Sequence, residues 1–380
     1  MPGQNSCDVL IAGGGPAGLA AAIALRQRGA DVLVADAMRP PIDKPCGEGL
    51  MPNSRRELAR LGVEVRADQG AEFKGILFAQ DGARCAAEFP RGTGIGVRRP
   101  VLHRLLLERA TELGVRMQWG AAVSAQPGKP ILAGGESCAY RWMVGADGVT
   151  SQIRRWAGLE PGEVSSRRFG FRAHFRVAPW SQYVEIHWGS LGQAYVTPVG
   201  PKEVCVAAIT RHSGVRLADI LAGIPFLEKR LTSVERNTPE RGAITLTRRL
   251  QQVTRGNLAL IGDASGSADA ITGEGLAMGF RQAMLLAESL SAGSLDLYEA
   301  RHSSILALPH RMAAMMLLLD RFGGLRERAL PVLGARPDLF GKLLAVHVGE
   351  QPLTKFLLRH GAAMGALLLP PVSSEDPLPQ

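Results

Sequence analysis

A short loop at residues 43–50, DKPCGEGL, places a thiol and a carboxyl two residues apart. Cys46 and Glu48 are the candidate catalytic residues, because a carboxyl removed from water has a raised pKa and can act as a proton donor or base. The two glycines of the loop also allow a simpler interpretation, in which the backbone approaches a ligand and Cys46 only packs. The residue types alone leave both interpretations open.

A glycine-rich turn near the start of the chain has the pattern of a dinucleotide-binding loop. Its first glycine allows a tight turn, its second lets the backbone approach a pyrophosphate, and its third lets a helix pack closely on a strand. The helix then offers free N–H groups to the phosphates, and an acid about twenty residues later can bind a ribose. The residues in these positions are Gly13, Gly15, Pro16, Ala17, Gly18 and Asp36.

These residues need a strand–turn–helix–strand unit to position them. The apolar runs at 8–12 and 31–35 are typical of buried parallel strands. The Ala- and Leu-rich segment 16–28 is typical of a helix, and Gly29 is a helix stop signal. Three later segments also combine a strand with a helix, at 97–123, 142–159 and 257–290.

Three motifs in chain order resemble the para-hydroxybenzoate-hydroxylase-like flavoprotein superfamily. They are GGGPAG (13–18), GADGVTSQIRR (145–155) and LALIGDASGSADAITGEG (258–275). This superfamily includes single-component FAD monooxygenases, flavin halogenases and geranylgeranyl reductases. The resemblance covers about residues 7–310, and it implies FAD as the cofactor and NAD(P)H as the electron donor.

The resemblance implies roles for residues outside the glycine turn. Arg99 matches an arginine that commonly contacts FAD, Val123 matches a residue whose backbone meets adenine, and Asp147 lies in a motif that faces FAD and NAD(P)H. The aspartate of the Gly262-Asp263 pair matches the one that binds the ribityl chain. A helix start beneath the flavin pyrimidine edge stabilises negative charge on reduced flavin, and its residues here are Gly273, Glu274, Gly275 and Leu276.

The resemblance leaves the reaction class open. It places Cys46 and Glu48 beside the isoalloxazine ring, where geranylgeranyl reductases carry a similar Cys-Gly-rich loop. Gly266 and the TGEG of 272–275 also resemble the reductase and halogenase branches, while the WxWxIP signature of tryptophan halogenases is absent.

We expect an NAD(P)H-using monooxygenase that hydroxylates or epoxidises a hydrophobic aromatic or polyketide-like molecule through a flavin C4a-hydroperoxide. One alternative is a reductase of prenyl double bonds, in which an acid near the flavin supplies a proton. A second alternative is a flavoprotein that modifies a partner protein.

Residues 166–250 are predicted to form an antiparallel sheet, because short, partly alternating runs at 169–177, 183–189, 193–200 and 203–210 are separated by turn residues. In the superfamily such a sheet roofs the flavin and shapes the substrate pocket. The candidate substrate-facing residues are Arg172, His174, Tyr183, His187, Trp188 and Tyr195. Each of them could equally be an ordinary sheet residue.

The chain from residue 296 is predicted to be helical. Three of its segments, at 310–322, 339–349 and 354–371, are apolar with basic residues at their edges. Three interpretations stay open for these segments. They could pack against the FAD domain, line a hydrophobic substrate tunnel, or make peripheral contact with a membrane surface. Residues 374–380 are expected to be disordered.

The composition limits which classes of partner and which cellular compartment we expect for this chain. Lys and Arg number 44 against 35 Asp and Glu, a net charge of +9, but they form no long basic run. This pattern favours an anionic cofactor or a membrane surface over nucleic acid. Five widely spaced cysteines predict neither a disulfide framework nor a metal site. With no signal peptide and no long apolar run, we expect a cytoplasmic protein, in a peripheral position at the membrane if the tail binds there.

Together these observations predict an α/β fold, with a Rossmann-like FAD-binding domain, a smaller mixed β-sheet substrate domain and a helical C-terminal part. The FAD-binding domain is expected to be discontinuous, built from residues 1–65, 96–165 and 251–295. The substrate domain is expected at 66–95 and 166–250, and the helical region at 296–380.

Overall fold

The computed structural model describes residues 6–124, 132–160 and 163–366. Within these ranges the strands β1–β19 are Ser6–Ala12, Val32–Asp36, Gly49–Leu50, Ala71–Phe73, Gly75–Gln80, Ala83–Glu88, Gly94–Gly96, Arg116–Trp119, Val123–Ser124, Leu132–Ala133, Glu136–Ser137, Ala139–Gly145, Glu163–Phe175, Tyr183–Gly189, Gly192–Gly200, Glu203–Thr210, Arg241–Arg249, Thr254–Arg255 and Leu258–Leu260. The segment 374–380, expected to be disordered, lies outside the described residues.

The helices alternate with the strands in the first part of the chain and follow them in the last part. In the described ranges α1–α11 are Pro16–Arg26, Pro52–Arg60, Arg99–Glu112, Gln152–Trp156, Leu217–Ala222, Pro225–Leu231, Gly275–Ser291, Asp296–Arg321, Gly323–Ala335, Pro337–His347 and Leu353–Ala366. Two short 3-10 turns lie at Gly262–Ser265 and Ala270–Thr272.

A six-stranded sheet carries the glycine-rich turn. Its order is β18-β19-β12-β1-β2-β8, and all neighbours are parallel except the β18–β19 pair. Because β1 lies inside the sheet between β12 and β2, its strand is apolar and buried from Val9 onwards. The α/β fold with a Rossmann-like domain is confirmed.

Small residues let two helices approach each other beneath this sheet. Helix α1 is buried along nearly its whole length, and it packs against α7. A Cβ added at Gly279 of α7 would lie only 3.4 Å from the Cβ of Ala17 in α1. The two helix N-termini that the resemblance assigns to FAD are therefore held in one rigid unit.

A second, seven-stranded sheet has the order β17-β13-β16-β15-β14-β5-β6 and is antiparallel except where β14 meets β5. The antiparallel strands expected in the middle of the chain are confirmed. One face, the outer face, packs against α5 and α6 through residues such as Phe171, Val196 and Leu227. The opposite, inner face looks toward α8 and α10.

The C-terminal part is helical, as predicted. Helix α10 buries Leu339, Phe340 and Leu344, and the ring of Phe340 lies 4.8 Å from that of Phe78 on β5. This helix therefore packs on the inner face of the seven-stranded sheet, whereas the start of α8 packs on the FAD-binding sheet through the Tyr298 hydroxyl, which donates to Leu260 O at 2.7 Å. In the described part of the chain no helix is long and apolar enough to span a bilayer. The division into domains stays a prediction.

Candidate functional site

The glycine turn combines two crowded positions with one open position. Gly13 has φ +114°, and a Cβ there would lie 2.5 Å from Ala146 O; a Cβ at Gly18 would lie 1.9 Å from Gly13 O. At Gly15, the N-cap of α1, an added Cβ would have no atom within 4 Å. The fold thus requires the first and third glycines, and the second leaves space at a helix N-terminus, which fits a pyrophosphate.

Asp36 and a buried histidine hold this turn in place. The Asp36 carboxylate accepts hydrogen bonds from Gly14 N and Met38 N, both at 2.7 Å. His103 Nε2 lies 2.9 Å from Gly14 O, and burial lowers the pKa of this imidazole, so a neutral ring donates to the carbonyl. His103 was not predicted from the sequence, although it stands four residues after Arg99 on the same face of α3.

Arg99 has a free donor that an anionic ligand could use. It is the first residue of α3, its backbone N–H donates to Glu48 Oε1 at 2.9 Å, and its Nε is buried without a hydrogen-bond partner. A buried donor of this kind is costly unless a ligand satisfies it. The contact between Arg99 and FAD stays a prediction that this geometry fits.

Asp263 is half-exposed and pairs with a lysine of the 43–50 loop. Its carboxylate lies 3.1 Å from Lys44 Nζ, while Gly262 N donates to Gln282 Oε1 at 2.8 Å. An exposed pair of this kind is weak, so the Asp263 carboxylate can exchange Lys44 for a hydroxyl-rich ligand. Lys44 was not among the residues predicted from the sequence.

The start of α7 is open to a ligand on its glycine side. Gly273 has φ +68°, and added Cβ atoms at Gly273 and Gly275 would touch nothing within 4 Å. Leu276 is half-buried against the FAD-domain core. Glu274 is buried, accepts a 3.4 Å hydrogen bond from Asn53 Nδ2 through Oε1, and has no hydrogen-bond partner at Oε2. The free N–H groups of this 17-residue helix fit the negative edge of a reduced flavin.

Asp147 and Val123, two further residues predicted to contact FAD, have structural roles of their own. The Asp147 carboxylate accepts hydrogen bonds from Ser151 Oγ at 2.5 Å, Gln152 N at 2.7 Å and Ile153 N at 3.1 Å, so it caps α4. Val123 is half-buried at the start of β9. Contacts of either residue with a cofactor stay predictions.

Glu48 is enclosed by hydrogen-bond donors on the inner face of the seven-stranded sheet. It is 3% exposed, with Arg172 Nη1 at 2.7 Å from Oε1 and His174 Nε2 at 2.6 Å from Oε2. Burial opposes ionisation, but the hydrogen bonds from His174 and Arg99 N and the charge of Arg172 outweigh it and lower the pKa of Glu48. The raised pKa expected from the sequence is therefore wrong, since the group is a fixed carboxylate.

The histidine and arginine of this network have further partners. Thr238 Oγ1 accepts from the His174 backbone N–H at 3.1 Å, so its own hydrogen can be donated to His174 Nδ1 at 2.9 Å, which leaves Nε2–H to donate to Glu48. Arg172 Nη2 also donates to both oxygens of Asp43, at 2.9 and 3.0 Å. The network pins the 43–50 loop to β13 at two points.

Cys46 is a neutral thiol beside this network. Desolvation raises its pKa, and the nearby Arg99 guanidinium opposes the shift only partly. The thiol of Cys205 on β16 lies 3.8 Å from Cys46 O. Glu48, His174 and Cys205 hold possible metal-ligand atoms within 4.8 Å of one another, but hydrogen bonds already satisfy the carboxylate and the imidazole.

Strand alternation divides the six predicted substrate-facing residues between the two faces. Residues on the inner face are Arg172, His174, Trp188 and Tyr195. Tyr183 and His187 belong to the outer face, which corrects the expectation for these two. His187 donates to Glu185 at 2.7 Å and stacks on Phe226 of α6 at 5.4 Å, while Tyr183 on β14 donates across β5 to Glu88 on β6.

The glycine turn, the open helix starts and the parallel sheet define a dinucleotide-binding domain. The FAD binding domain family matches residues 6–197, about half of the chain. The chain therefore belongs to this para-hydroxybenzoate-hydroxylase-like family, and it is an FAD-dependent oxidoreductase.

Curated relatives match over most of the chain. The menaquinone reductase of Mycobacterium tuberculosis is 28% identical over 356 residues, which cover 85% of this chain and 86% of the relative. The digeranylgeranylglycerophospholipid reductase of Methanosarcina acetivorans is 27% identical over 300 residues, which cover 71% of each chain.

Solved structures show the same fold. A flavoprotein/dehydrogenase from Cytophaga hutchinsonii has a TM-score of 0.80 at 17% identity, covering 96% of this chain and 99% of its own. The p-nitrophenol 4-monooxygenase of Pseudomonas putida has a TM-score of 0.75 at 19% identity, covering 94% and 98%. Identities this low carry the fold and leave the reaction open.

Proposed function

We propose that the chain is an FAD-dependent reductase of carbon–carbon double bonds in a prenyl-chain lipid. The observation that carries the proposal is the pairing of a fixed carboxylate, Glu48, with a neutral thiol, Cys46, in one loop. Two curated relatives support a reductase, since they are named menaquinone reductase and digeranylgeranylglycerophospholipid reductase. The proposal takes the reductase alternative in place of the expected monooxygenase.

Reduction of an isolated double bond needs a hydride at one carbon and a proton at the other. Bound FAD, re-reduced by NAD(P)H, supplies the hydride. Cys46 supplies the proton from its Sγ, because its raised pKa keeps the thiol protonated at neutral pH. The thiolate left behind lies near the Arg99 and Arg172 guanidinium groups, which stabilise it until solvent returns the proton.

The other residues of the site hold the reactants in place. Glu48 anchors the loop to β13 and keeps Arg172 beside Cys46, so its role is positioning. The open start of α7 stabilises negative charge on the reduced cofactor. Beyond Tyr195 the inner face is apolar, with Trp188 and Ile186 buried there beneath α8 and α10.

The test is an anaerobic single-turnover reaction of the reduced, FAD-loaded protein with menaquinone and with a geranylgeranyl-chain phospholipid. Mass spectrometry should find a product heavier by two hydrogens in ordinary water, with deuterium at both carbons of the former double bond in heavy water, because the thiol and reduced-flavin hydrogens both exchange with solvent. Cys46→Ser should slow this step by about 100-fold, as expected for loss of a general acid. Flavin content and chemical reduction by dithionite should be unchanged.

The control variant is Cys138→Ala, which removes a buried thiol in the other sheet's core and should leave the rate unchanged. A parallel aerobic reaction with NAD(P)H and labelled oxygen gas is the second arm of the test, and a product that carries one labelled oxygen atom would overturn the reductase proposal in favour of the monooxygenase. A wild-type rate in Cys46→Ser would remove Cys46 from the mechanism.

A further inference from the structure

Helix α8 presents an outward stripe that is apolar and basic. Its exposed positions follow one another at spacings of three or four residues, so they lie on one side of the helix. The stripe consists of Ala307, Arg311, Ala314, Leu318, Arg321 and, at the helix end, Phe322. Leu318 is 48% exposed and Phe322 is 49% exposed, with the Arg321 guanidinium 5.5 Å from the Phe322 ring centre.

The opposite side of the same helix faces the inner sheet face. Asp320 lies there, and its carboxylate accepts from Gln193 Nε2 at 2.5 Å and pairs with Arg168 Nη2 at 3.3 Å. Gln193 in turn accepts from the hydroxyl of Tyr195, one of the candidate substrate-facing residues. One helix thickness, about 10 Å, therefore separates the outward stripe from the candidate substrate surface.

The chemistry of the stripe matches an anionic lipid surface. The exposed positions from Ser303 to Phe322 include no Asp or Glu, so the charge of the stripe is positive only. Leucine and phenylalanine can enter the acyl boundary while arginine side chains extend to lipid phosphates. Each arginine near an anionic leaflet adds electrostatic attraction.

We propose that the outer stripe of α8 docks the protein on an anionic bilayer. The helix then lies in the interface with its inner side toward the active site, so a lipid substrate reaches the inner sheet face beside α8. This route rests on the proposed function, whereas the docking itself rests on the stripe alone. Of the three segments for which membrane contact was expected, the structure disfavours 339–349, because the apolar residues Leu339, Phe340 and Leu344 of α10 are buried, and it leaves the segments on α8 and α11.

The test is flotation of the FAD-loaded protein with vesicles of phosphatidylcholine alone and with equal parts of phosphatidylcholine and phosphatidylglycerol. Wild type should float only with the anionic vesicles, and high salt should release it. The double variant Leu318→Glu/Phe322→Glu should lower the partition coefficient by about tenfold or more, since two apolar contacts become repulsive charges.

Two matched variants identify the surface. Ile244→Glu changes an exposed apolar residue of β17 and should float as wild type does. Leu358→Glu changes the 89% exposed leucine of α11; if it abolishes flotation while the double variant on α8 does not, the assignment to α8 is wrong. Equal binding of wild type to both vesicle types would overturn the electrostatic part of the proposal.

A water-soluble short prenyl substrate separates this proposal from the proposed function. The double variant should reduce that substrate at the wild-type rate and lose activity only on vesicle-embedded lipid. If wild type floats but reduces neither substrate, docking stands and the reductase proposal fails. If wild type reduces both substrates but does not float, docking fails and the reductase proposal stands.

Discussion

Replacement of Glu48 by glutamine tests whether this residue is a structural anion or a proton donor. The side chain keeps its volume, but the buried charge that faces Arg172 at 2.7 Å and His174 at 2.6 Å is lost. Removing one partner of a buried ion pair costs about 3–5 kcal/mol. Here Arg172 keeps Asp43 as a second carboxylate, and the glutamine oxygen can still accept one N–H. We therefore expect the unfolding free energy to fall by about 3 kcal/mol, the lower end of that range.

The measurement is urea unfolding of the FAD-loaded protein, followed by tryptophan fluorescence at neutral pH. The Glu48→Gln curve should shift to lower urea with its slope unchanged, because the unfolded surface is the same. Glu72→Gln is the matched control: Glu72 forms an exposed pair with Arg55 at 3.0 Å, and its replacement should change the unfolding free energy by less than about 1 kcal/mol.

Turnover of the folded fraction completes the test. Since Glu48 is ionised and hydrogen-bonded on both oxygens, Glu48→Gln should retain the pH profile of the proton-transfer step while losing stability. The reasoning is refuted if Glu48→Gln unfolds like Glu72→Gln and yet loses turnover, because Glu48 would then be the proton donor that the sequence alone suggested.

The remaining predictions concern the cofactor turn and acid stability. Gly15→Ala should fold and bind FAD at least about tenfold more weakly, because its Cβ enters only the open cofactor side. Gly18→Ala should lose about 3 kcal/mol or more of unfolding free energy, because its Cβ meets Gly13 O at 1.9 Å. Fluorescence titration measures the FAD affinity and urea unfolding measures the stability, and a wild-type FAD affinity for Gly15→Ala would contradict the proposed pyrophosphate site at Gly15. Burial lowers the pKa of His302 from 6.5 to about 4. The unfolded chain therefore takes up this proton first, and stability should fall by about 3 kcal/mol as pH drops from about 6.5 to 4. His302→Gln should reduce that pH slope in urea unfolding, and an unchanged slope would mean that His302 is not buried as a neutral ring.

Local backbone requirements made the cofactor turn predictable from the sequence. The positive φ of Gly13 and the close contact at Gly18 arise within one strand–turn–helix unit, so spacing alone reports them. The same holds for the parallel strands, whose apolar runs predicted β1 and β2 to within two residues at each end.

Alternation predicted strands without deciding which face each side chain takes. Tyr183 and His187 share one parity of β14, and only the packing of α6 on the outer face shows that this parity points away from α8. Trp188, with the opposite parity, lies on the inner face near Phe78 at 5.1 Å between ring centres. A period of two fixes the relation between neighbours, but the choice of face depends on helices far away in the chain.

The sequence by itself determined that this chain has the glycine turn, the acid after β2 and the motif order of an FAD-binding protein, because those features act over a few residues. Only the tertiary structure decided the protonation states of Glu48 and Cys46 in the 43–50 loop. Arg172 and His174 stand 124 and 126 residues from Glu48, and the pKa of a buried carboxyl follows the charges that folding brings within hydrogen-bond distance. The sequence showed an acid and a thiol two residues apart; in the fold, the hydrogen bonds from His174 and Arg99 N and the charge of Arg172 keep Glu48 ionised, and burial keeps the Cys46 thiol protonated.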